Sequence, residues 1–71
     1  MNVSDLMERV KTGEKRAMTQ LGTEYMALHQ WGKAAEIYKQ YLKEEVADRE
    51  RYQVLIKMAM CYFFINQLAK S

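Results

Sequence analysis

The stretch of sequence that decides the fold is residues 18–38, MTQLGTEYMALHQWGKAAEIY. Apolar side chains recur at helical spacing before and after the short segment 29–32, HQWG. Two helices joined by so few residues must lie antiparallel. The stretch therefore predicts a helical hairpin, with one helix over about 14–30 and the next over about 33–45.

Composition extends the helical prediction to the rest of the chain. The 71 residues include no proline and three glycines, and 49% are hydrophobic and 28% charged. These proportions disfavour disorder, and a β-rich domain of this size would need more turn residues. The prediction is an all-α fold of antiparallel hairpins with about four helices.

An additional helix is predicted at the N-terminus. Between Val3 and Val10 the apolar residues stand at i, i+3, i+4 and i+7, which is the stripe of an amphipathic helix. Either Asn2 or Ser4 can cap this helix, and Gly13 is expected to end it.

The last predicted helix covers about 49–65, after a break at 46–48 in which Asp48 is a candidate N-cap. It is apolar on more than one face, and a helix that is apolar nearly all round is buried on both sides. In so small a chain, we expect something outside the chain to cover one side. Asn66 and Gln67 are interpreted as a turn after this helix.

The spacing within residues 18–38 resembles the tetratricopeptide repeat, a helical hairpin that stacks in arrays. The signature of that family is W-x-x-L-G-x-x-Y, followed by a small and then an aromatic residue on the second helix. The matching positions are Leu21, Gly22, Tyr25, Ala34 and Tyr38. The departures are Met18 for the initial Trp, Tyr41 for a preferred alanine and Val46 for a preferred proline.

A second copy of the pattern begins 37 residues after the first, where the family repeat is usually 34 residues long. Its members Leu55, Met58, Ala59 and Tyr62 repeat Met18, Leu21, Gly22 and Tyr25, and Ser71 falls where Ala34 stands in the first copy. The resemblance covers 15–71. The N-terminal helix, predicted over 1–13, lies outside the resemblance. The resemblance implies a first hairpin over 14–48, and over 49–71 the first helix and the start of the second helix of a truncated repeat.

Gly22 lies inside a predicted helix, where glycine costs about 1 kcal/mol relative to alanine. We interpret Gly22 as the place where the next helix packs closely, and the alternative is a slightly weak helix with no special contact. The repeat-packing residues that the resemblance implies are Met18, Leu21, Gly22, Tyr25, Trp31, Ala34, Tyr38, Leu55, Met58, Ala59 and Tyr62.

In tetratricopeptide-like domains the first helix of each repeat lines a concave groove that receives peptides or helices. Carried onto this chain, the partner-binding groove consists of Arg16, Thr19, Thr23, Met26, Gln53, Ile56, Met60 and Phe63. Members that grip acidic tails use Lys and Asn there, whereas Thr19, Thr23 and Lys57 stand in this chain, so an apolar helix or extended peptide fits better. The alternative is that Ile56, Met60 and Phe63 are core residues beneath another helix.

The small size of the chain leads us to expect that it associates with other chains. Three or more repeats are usually needed for a stable array, so the chain is either a piece of a longer array or gains its missing neighbour by association. Domains below about 70–80 residues usually need a staple. A single cysteine, Cys61, excludes an internal disulfide, and a single histidine, His29, argues against a zinc site.

Charge and hydropathy argue against nucleic-acid and membrane partners. Eleven Lys and Arg residues are interleaved with nine Asp and Glu residues, for a net charge of +2. No basic start followed by an apolar run marks a secretory signal, and the longest apolar stretch, 54–65, is too short to span a bilayer. We expect a cytoplasmic location, which a free cysteine suits.

No constellation for catalysis is visible. Cys61 and His29 form the only thiol–imidazole combination, and the apolar neighbours of Cys61 should raise the pKa of its thiol and leave it inert. We expect no catalytic residue, no metal ligand and no cofactor. The predicted function is a non-catalytic interaction module or scaffold that binds another protein. The alternative is a small helical subunit or chaperone-like stabiliser whose apolar last helix is buried in a homo- or hetero-oligomer.

Overall fold

A computed structural model of the chain describes residues 3–70. The four helices are α1 (Val3–Lys11), α2 (Lys15–Ala27), α3 (Trp31–Leu42) and α4 (Asp48–Lys70). No strand occurs among the described residues, so the predicted all-α fold of about four helices is confirmed. The predicted Asn2 cap and the Ser71 counterpart of Ala34 lie outside the described residues, as does Met1.

The helices pack in chain order, α1 on α2, α2 on α3 and α3 on α4. The helix α3 runs antiparallel to α2 and to α4, because the start of α3 lies beside the last turns of α2 and the second half of α4: Lys33 Nζ is 5.8 Å from the Tyr25 ring centroid, and the rings of Trp31 and Phe64 stack at 4.4 Å. The Cα positions span 37 × 28 × 15 Å, which is the shape of a thin slab. Because each helix packs mainly on its neighbours in the chain, large parts of the helices stay uncovered.

The link between α1 and α2 is made by a glycine in the left-handed conformation. Gly13 has φ 88°, and the Glu14 N–H donates to the Arg9 carbonyl oxygen at 3.1 Å while the Gly13 N–H donates to the Val10 carbonyl oxygen at 3.0 Å. These two bonds form a Schellman motif, which satisfies the last carbonyls of a helix. The prediction that Gly13 ends the first helix is confirmed.

The link between α2 and α3 uses the same motif without glycine. His29 has φ 59°, the Gln30 N–H donates to the Tyr25 carbonyl oxygen at 2.8 Å, and the His29 N–H donates to the Met26 carbonyl oxygen at 3.0 Å. Histidine is one of the few residues besides glycine that are enriched at positive φ. As a result α2 ends at Ala27, before the predicted boundary, and Trp31 belongs to the first turn of α3.

The core lies within the α2–α3 hairpin and where α1 and α4 pack against it. Its buried side chains are Leu6, Ala17, Met18, Leu21, Tyr25, Ala34, Ala35, Tyr38, Tyr41, Val54 and Cys61. The small side chains of Ala34 and Ala35 allow α3 to approach α2 closely, which is the usual role of small residues in a helix contact.

The predicted turn at Asn66 and Gln67 is wrong, because α4 continues as one helix to Lys70. No second helix of a second repeat starts within residues 3–70. The physical reason is that 49–71 contains neither glycine nor proline, and Asn and Gln are tolerated inside helices. Asp48 is the first residue of α4 instead of its cap, and the Ala47 carbonyl accepts the first helical bond from the Arg51 N–H at 2.9 Å.

Candidate interaction surface

The closest helix contact in the hairpin is that between Gly22 of α2 and the ring of Tyr38 of α3. A Cβ atom placed on Gly22 would lie 2.6 Å from Cε1 and from Cζ of Tyr38, closer than real Cβ contacts allow. Tyr38 is fully buried, so its ring has no room to retreat. The absence of a side chain at Gly22 is therefore what lets the ring lie flat against α2.

The Tyr38 hydroxyl is held against α2 by contacts with two side chains of that helix. It lies 3.2 Å from Thr23 Oγ1 and donates to Met26 Sδ at 3.6 Å. Burial raises the pKa of Tyr38, the contact with Thr23 lowers it, and the nearby Cys61 raises it further. The net pKa is above the usual value for tyrosine, so the phenol stays neutral and acts as a structural group.

An open groove runs between α2 and α4 and has Tyr41 of α3 at its floor. One hollow of about 480 Å³ is lined by Lys15, Arg16, Thr19, Tyr41, Glu50, Gln53, Val54 and Lys57. A second hollow of about 390 Å³ is lined by Thr19, Gln20, Thr23, Glu24 and Lys57. Because Thr19 and Lys57 line both hollows, we treat them as one feature, the α2–α4 groove.

The threonine hydroxyls in the α2–α4 groove donate hydrogen bonds to backbone carbonyls of their own helix. Thr19 Oγ1 donates to the Arg16 carbonyl oxygen at 3.0 Å, and Thr23 Oγ1 donates to the Thr19 carbonyl oxygen at 3.0 Å. Such bonds use the hydroxyl proton and leave lone pairs on the oxygen that can accept a hydrogen bond. The wall that α2 gives to the groove thus offers acceptors and small apolar groups to a ligand.

The charges in the α2–α4 groove are mixed. Lys15 Nζ donates to the Glu45 carbonyl oxygen at 2.6 Å and so ties α2 to the loop before α4. Lys57 Nζ lies 6.0 Å from the centroid of the Tyr38 ring, at the outer limit of a cation–π contact. Since Glu24 and Glu50 line the groove as well, its electrostatics do not select an acidic ligand.

A second exposed feature is the side of α4 that points away from α3. Its members are Tyr52, Leu55, Ile56, Ala59, Met60, Tyr62 and Phe63, and we call them the outer face of α4. The six large side chains are between 46% and 68% exposed, although all are apolar or aromatic. A contiguous apolar face of this kind is unusual on the surface of a monomeric protein.

The structure divides the predicted groove residues between these two features. Arg16, Thr19, Thr23 and Gln53 line the α2–α4 groove, whereas Ile56, Met60 and Phe63 lie on the outer face of α4. Met26 is half-buried beneath the Tyr38 hydroxyl. The reason is the orientation of α4, which Val54 and Cys61 fix by pointing into the core.

Sequence reasoning missed Lys15, Tyr41, Glu50 and Val54 as groove residues. The signal for one of them, Glu50, was present, because Glu50, Gln53 and Lys57 follow one another at i, i+3 and i+7 and so share a side of α4. The groove residues predicted on α4 lie instead on the side of the helix that carries Ile56 and Met60. Only the buried position of Cys61 shows which rotation is the right one.

The repeat-packing residues also divide into two groups. Most of those on α2 and α3 are buried, and Trp31 is half-buried; the buried ones are Met18, Leu21, Gly22, Tyr25, Ala34 and Tyr38. On α4 only Met58 is partly buried against the core, while Leu55, Ala59 and Tyr62 are exposed. The first copy of the pattern is thus covered by a helix and the second copy is not.

Trp31 links the turn between α2 and α3 to α4 through a stack of rings. It stacks on His29 with centroids 5.3 Å apart and on Phe64 with centroids 4.4 Å apart, and Phe63 meets Phe64 edge to face at 5.5 Å. Aromatic pairs in these geometries contribute about 0.5–1.5 kcal/mol beyond their burial. The stack fixes the second half of α4 against the turn between α2 and α3.

The chemistry-bearing side chains form no reactive site among the described residues. Cys61 is fully buried, and burial raises the pKa of its thiol. His29 is exposed in the turn before α3. Within residues 3–70, no three His, Cys, Asp or Glu side chains come together in a way that could hold a metal ion.

Within the same residues, every helix is too short or too polar to cross a bilayer. Comparison with protein-family models, with curated proteins and with solved structures finds no match to this chain.

Proposed function

We propose that this chain is a non-catalytic protein–protein interaction module or scaffold that binds a peptide or helix of another protein in the α2–α4 groove. The tetratricopeptide resemblance belongs to the same proposal, since it describes a hairpin whose first helix lines such a groove. The observation that carries the proposal is the groove itself, an open channel with walls from two helices and a floor from the third.

The lining of the α2–α4 groove suits an extended peptide or a helix with a mixed surface. Thr19 and Thr23 offer oxygen acceptors and methyl groups, and the exposed Gln53 offers both a donor and an acceptor. Recognition of this kind relies on a few polar contacts that fix orientation and on apolar groups that supply affinity. The module needs no catalytic residue, cofactor or metal, and we propose a cytoplasmic location, which the free thiol of Cys61 suits.

The proposal is tested with a displayed library of random peptides, selected for binding to the folded chain. Selected peptides should bind Gln53→Arg at least about tenfold more weakly than the wild type, because the longer charged side chain intrudes on the groove. Gln40→Arg is the matched control, since Gln40 is an exposed residue of α3 outside the α2–α4 groove. Circular dichroism and melting should be unchanged in both variants.

Two results would contradict groove binding. One is a selection that yields no peptide, and the other is a set of peptides that bind Gln53→Arg as tightly as Gln40→Arg. Either result would remove the α2–α4 groove as the site of recognition while leaving the fold untouched.

A second candidate function is that of a small helical subunit, or chaperone-like stabiliser, whose last helix is buried in an oligomer. The specific observation that favours it is the outer face of α4, where Phe63 is 57% and Tyr52 68% exposed. Burying such side chains contributes about 25 cal/mol per Å² of apolar surface. Association would therefore stabilise a chain that is small for an independent domain.

A further inference from the structure

We infer that the outer face of α4 pairs with the same face of a second copy of this chain, antiparallel, across a two-fold axis beside Ala59. This inference rests on the subunit form of the proposed function and names the partner that the subunit form leaves open. The argument uses the area of the face, its pattern of large and small side chains, and the distribution of charge along α4.

The area of the outer face of α4 approaches what a symmetric dimer requires. Three aromatic and three aliphatic side chains, each about half exposed, present on the order of 600 Å² of apolar surface per chain. A standard interface buries about 800 Å² per partner, part of which comes from a polar rim. The outer face of α4 and its rim therefore match the area that one partner contributes.

The sequence of α4 carries one charged residue where the two copies would meet. With the axis beside Ala59, residues 52–66 of the two copies lie opposite one another, and Lys57 is the only Asp, Glu, Lys or Arg among them. Lys57 is turned toward Tyr38 and the α2–α4 groove. No like charges oppose one another across the proposed axis, and antiparallel helices also align their dipoles favourably.

The side-chain pattern fits an antiparallel pair better than a parallel one. Ala59 lies in the middle of the outer face of α4, and a small residue at the crossing point lets two backbones approach closely. With the axis beside Ala59, Leu55 of one copy lies opposite Phe63 of the other, and Ile56 lies opposite Tyr62. A parallel pair would instead set each aromatic ring against its own copy and leave a gap at Ala59.

A symmetric pairing would also stabilise a chain that is small for an independent domain. The sequence allows no internal disulfide, and residues 3–70 hold no cluster of metal ligands. A two-fold interface uses one patch twice, so a single apolar face is enough to close the assembly without leaving a second exposed patch. The dimer covers the face that the four helices leave open.

The test is sedimentation equilibrium of the purified full chain at up to about 100 µM, where a micromolar dimer is populated. We expect a mass twice that of the 8.4 kDa chain. Ala59→Arg should weaken self-association at least about 100-fold, because it buries two guanidinium groups at the axis. Gln40→Arg, the same type of substitution on the exposed side of α3, should leave the dimer intact.

Orientation is tested by cysteine cross-linking under mild copper–phenanthroline oxidation. Ala59→Cys should form a covalent dimer, since both copies of the residue lie beside the axis. Tyr52→Cys should not, because seven residues on each side of the axis place its two copies roughly 21 Å apart along α4. Wild-type chain is the control, as Cys61 is buried in each copy.

Three outcomes would overturn the inference. They are a monomer at about 100 µM, a dimer that survives Ala59→Arg, and cross-linking of Tyr52→Cys as efficient as that of Ala59→Cys. A monomer that binds a foreign helix in a manner abolished by Ala59→Arg would overturn the second copy as partner but leave the subunit function standing. A monomer with no ligand for this face would remove both.

Discussion

The same pattern of side chains occurs on α2 and on α4, but it is buried on α2 and largely exposed on α4. On α2, Met18 and Gly22 are buried, and the ring of Tyr38 of α3 lies against the glycine. On α4, the corresponding Leu55 and Ala59 are exposed. The difference shows that the pattern supplies a surface ready for a helix, and that only a neighbour turns the surface into core.

The largest expected effect comes from shortening one apolar residue on each helix. Met18→Ala should lower the free energy of unfolding by about 2–5 kcal/mol, the usual cost of truncating a buried Leu, Ile or Met. Leu55→Ala should cost less than about 1 kcal/mol, as is normal for exposed positions. Met18 is 2% exposed and Leu55 49% exposed, so burial accounts for the contrast.

Urea unfolding at low chain concentration measures both losses without a contribution from self-association. Equal losses for the two variants under these conditions would break the comparison between α2 and α4. If the loss of unfolding free energy caused by Leu55→Ala grows with chain concentration, the comparison becomes sharper, because the growth would show that association buries the outer face of α4.

A somewhat smaller effect is expected from filling the two small positions. Gly22→Leu should destabilise the chain by about 1–3 kcal/mol, because even a Cβ atom would lie 2.6 Å from the buried ring of Tyr38. At a chain concentration low enough to keep the chain monomeric, Ala59→Leu should change stability by no more than about 0.5 kcal/mol, because the added carbons then point into solvent. Thermal melts of the two variants beside wild type measure the difference. An unchanged melt of Gly22→Leu would mean that the contact with Tyr38 is not close in solution.

The hairpin was readable from the sequence because its signals are local. Helical spacing places α2 and α3, and Gly13 ends α1 at the residue where the left-handed conformation is needed. The end of α2 was misjudged because His29 takes the place usually held by glycine. No composition rule separates such a histidine from one within a helix.

The orientation of α4 could not be read in the same way. Amphipathic spacing identifies an inward face only when the opposite face is polar, and α4 is apolar nearly all round. Val54 and Cys61 point into the core, whereas the repeat pattern favoured Leu55 and Tyr62. The divided position of the candidate groove residues follows from this single ambiguity.

The smallest expected effect is a loss of stability in mild alkali, and it arises from two buried groups of the core, Cys61 and Tyr38. Burial raises the pKa of both Cys61 and Tyr38, so each group holds its proton more tightly in the folded chain than in the unfolded chain. Their contribution is fully present below the unfolded pKa values, about 8.5 for cysteine and about 10 for tyrosine. It is lost as the pH rises through the raised values of the folded chain, because the unfolded chain has by then released its protons.

Melting temperatures measured from pH 7 upward should therefore decline first above about pH 8.5, where the cysteine of the unfolded chain ionises, and more steeply above about pH 10. Cys61→Ala should lower the melting temperature at every pH but flatten the first decline, since the titrating thiol is gone. Val54→Ala is the control: Val54 is buried on the same helix and carries no titrating group, so its truncation should lower the melting temperature but leave the first decline in place. A first decline that persists in Cys61→Ala would show that the thiol is not the group whose ionisation opposes folding.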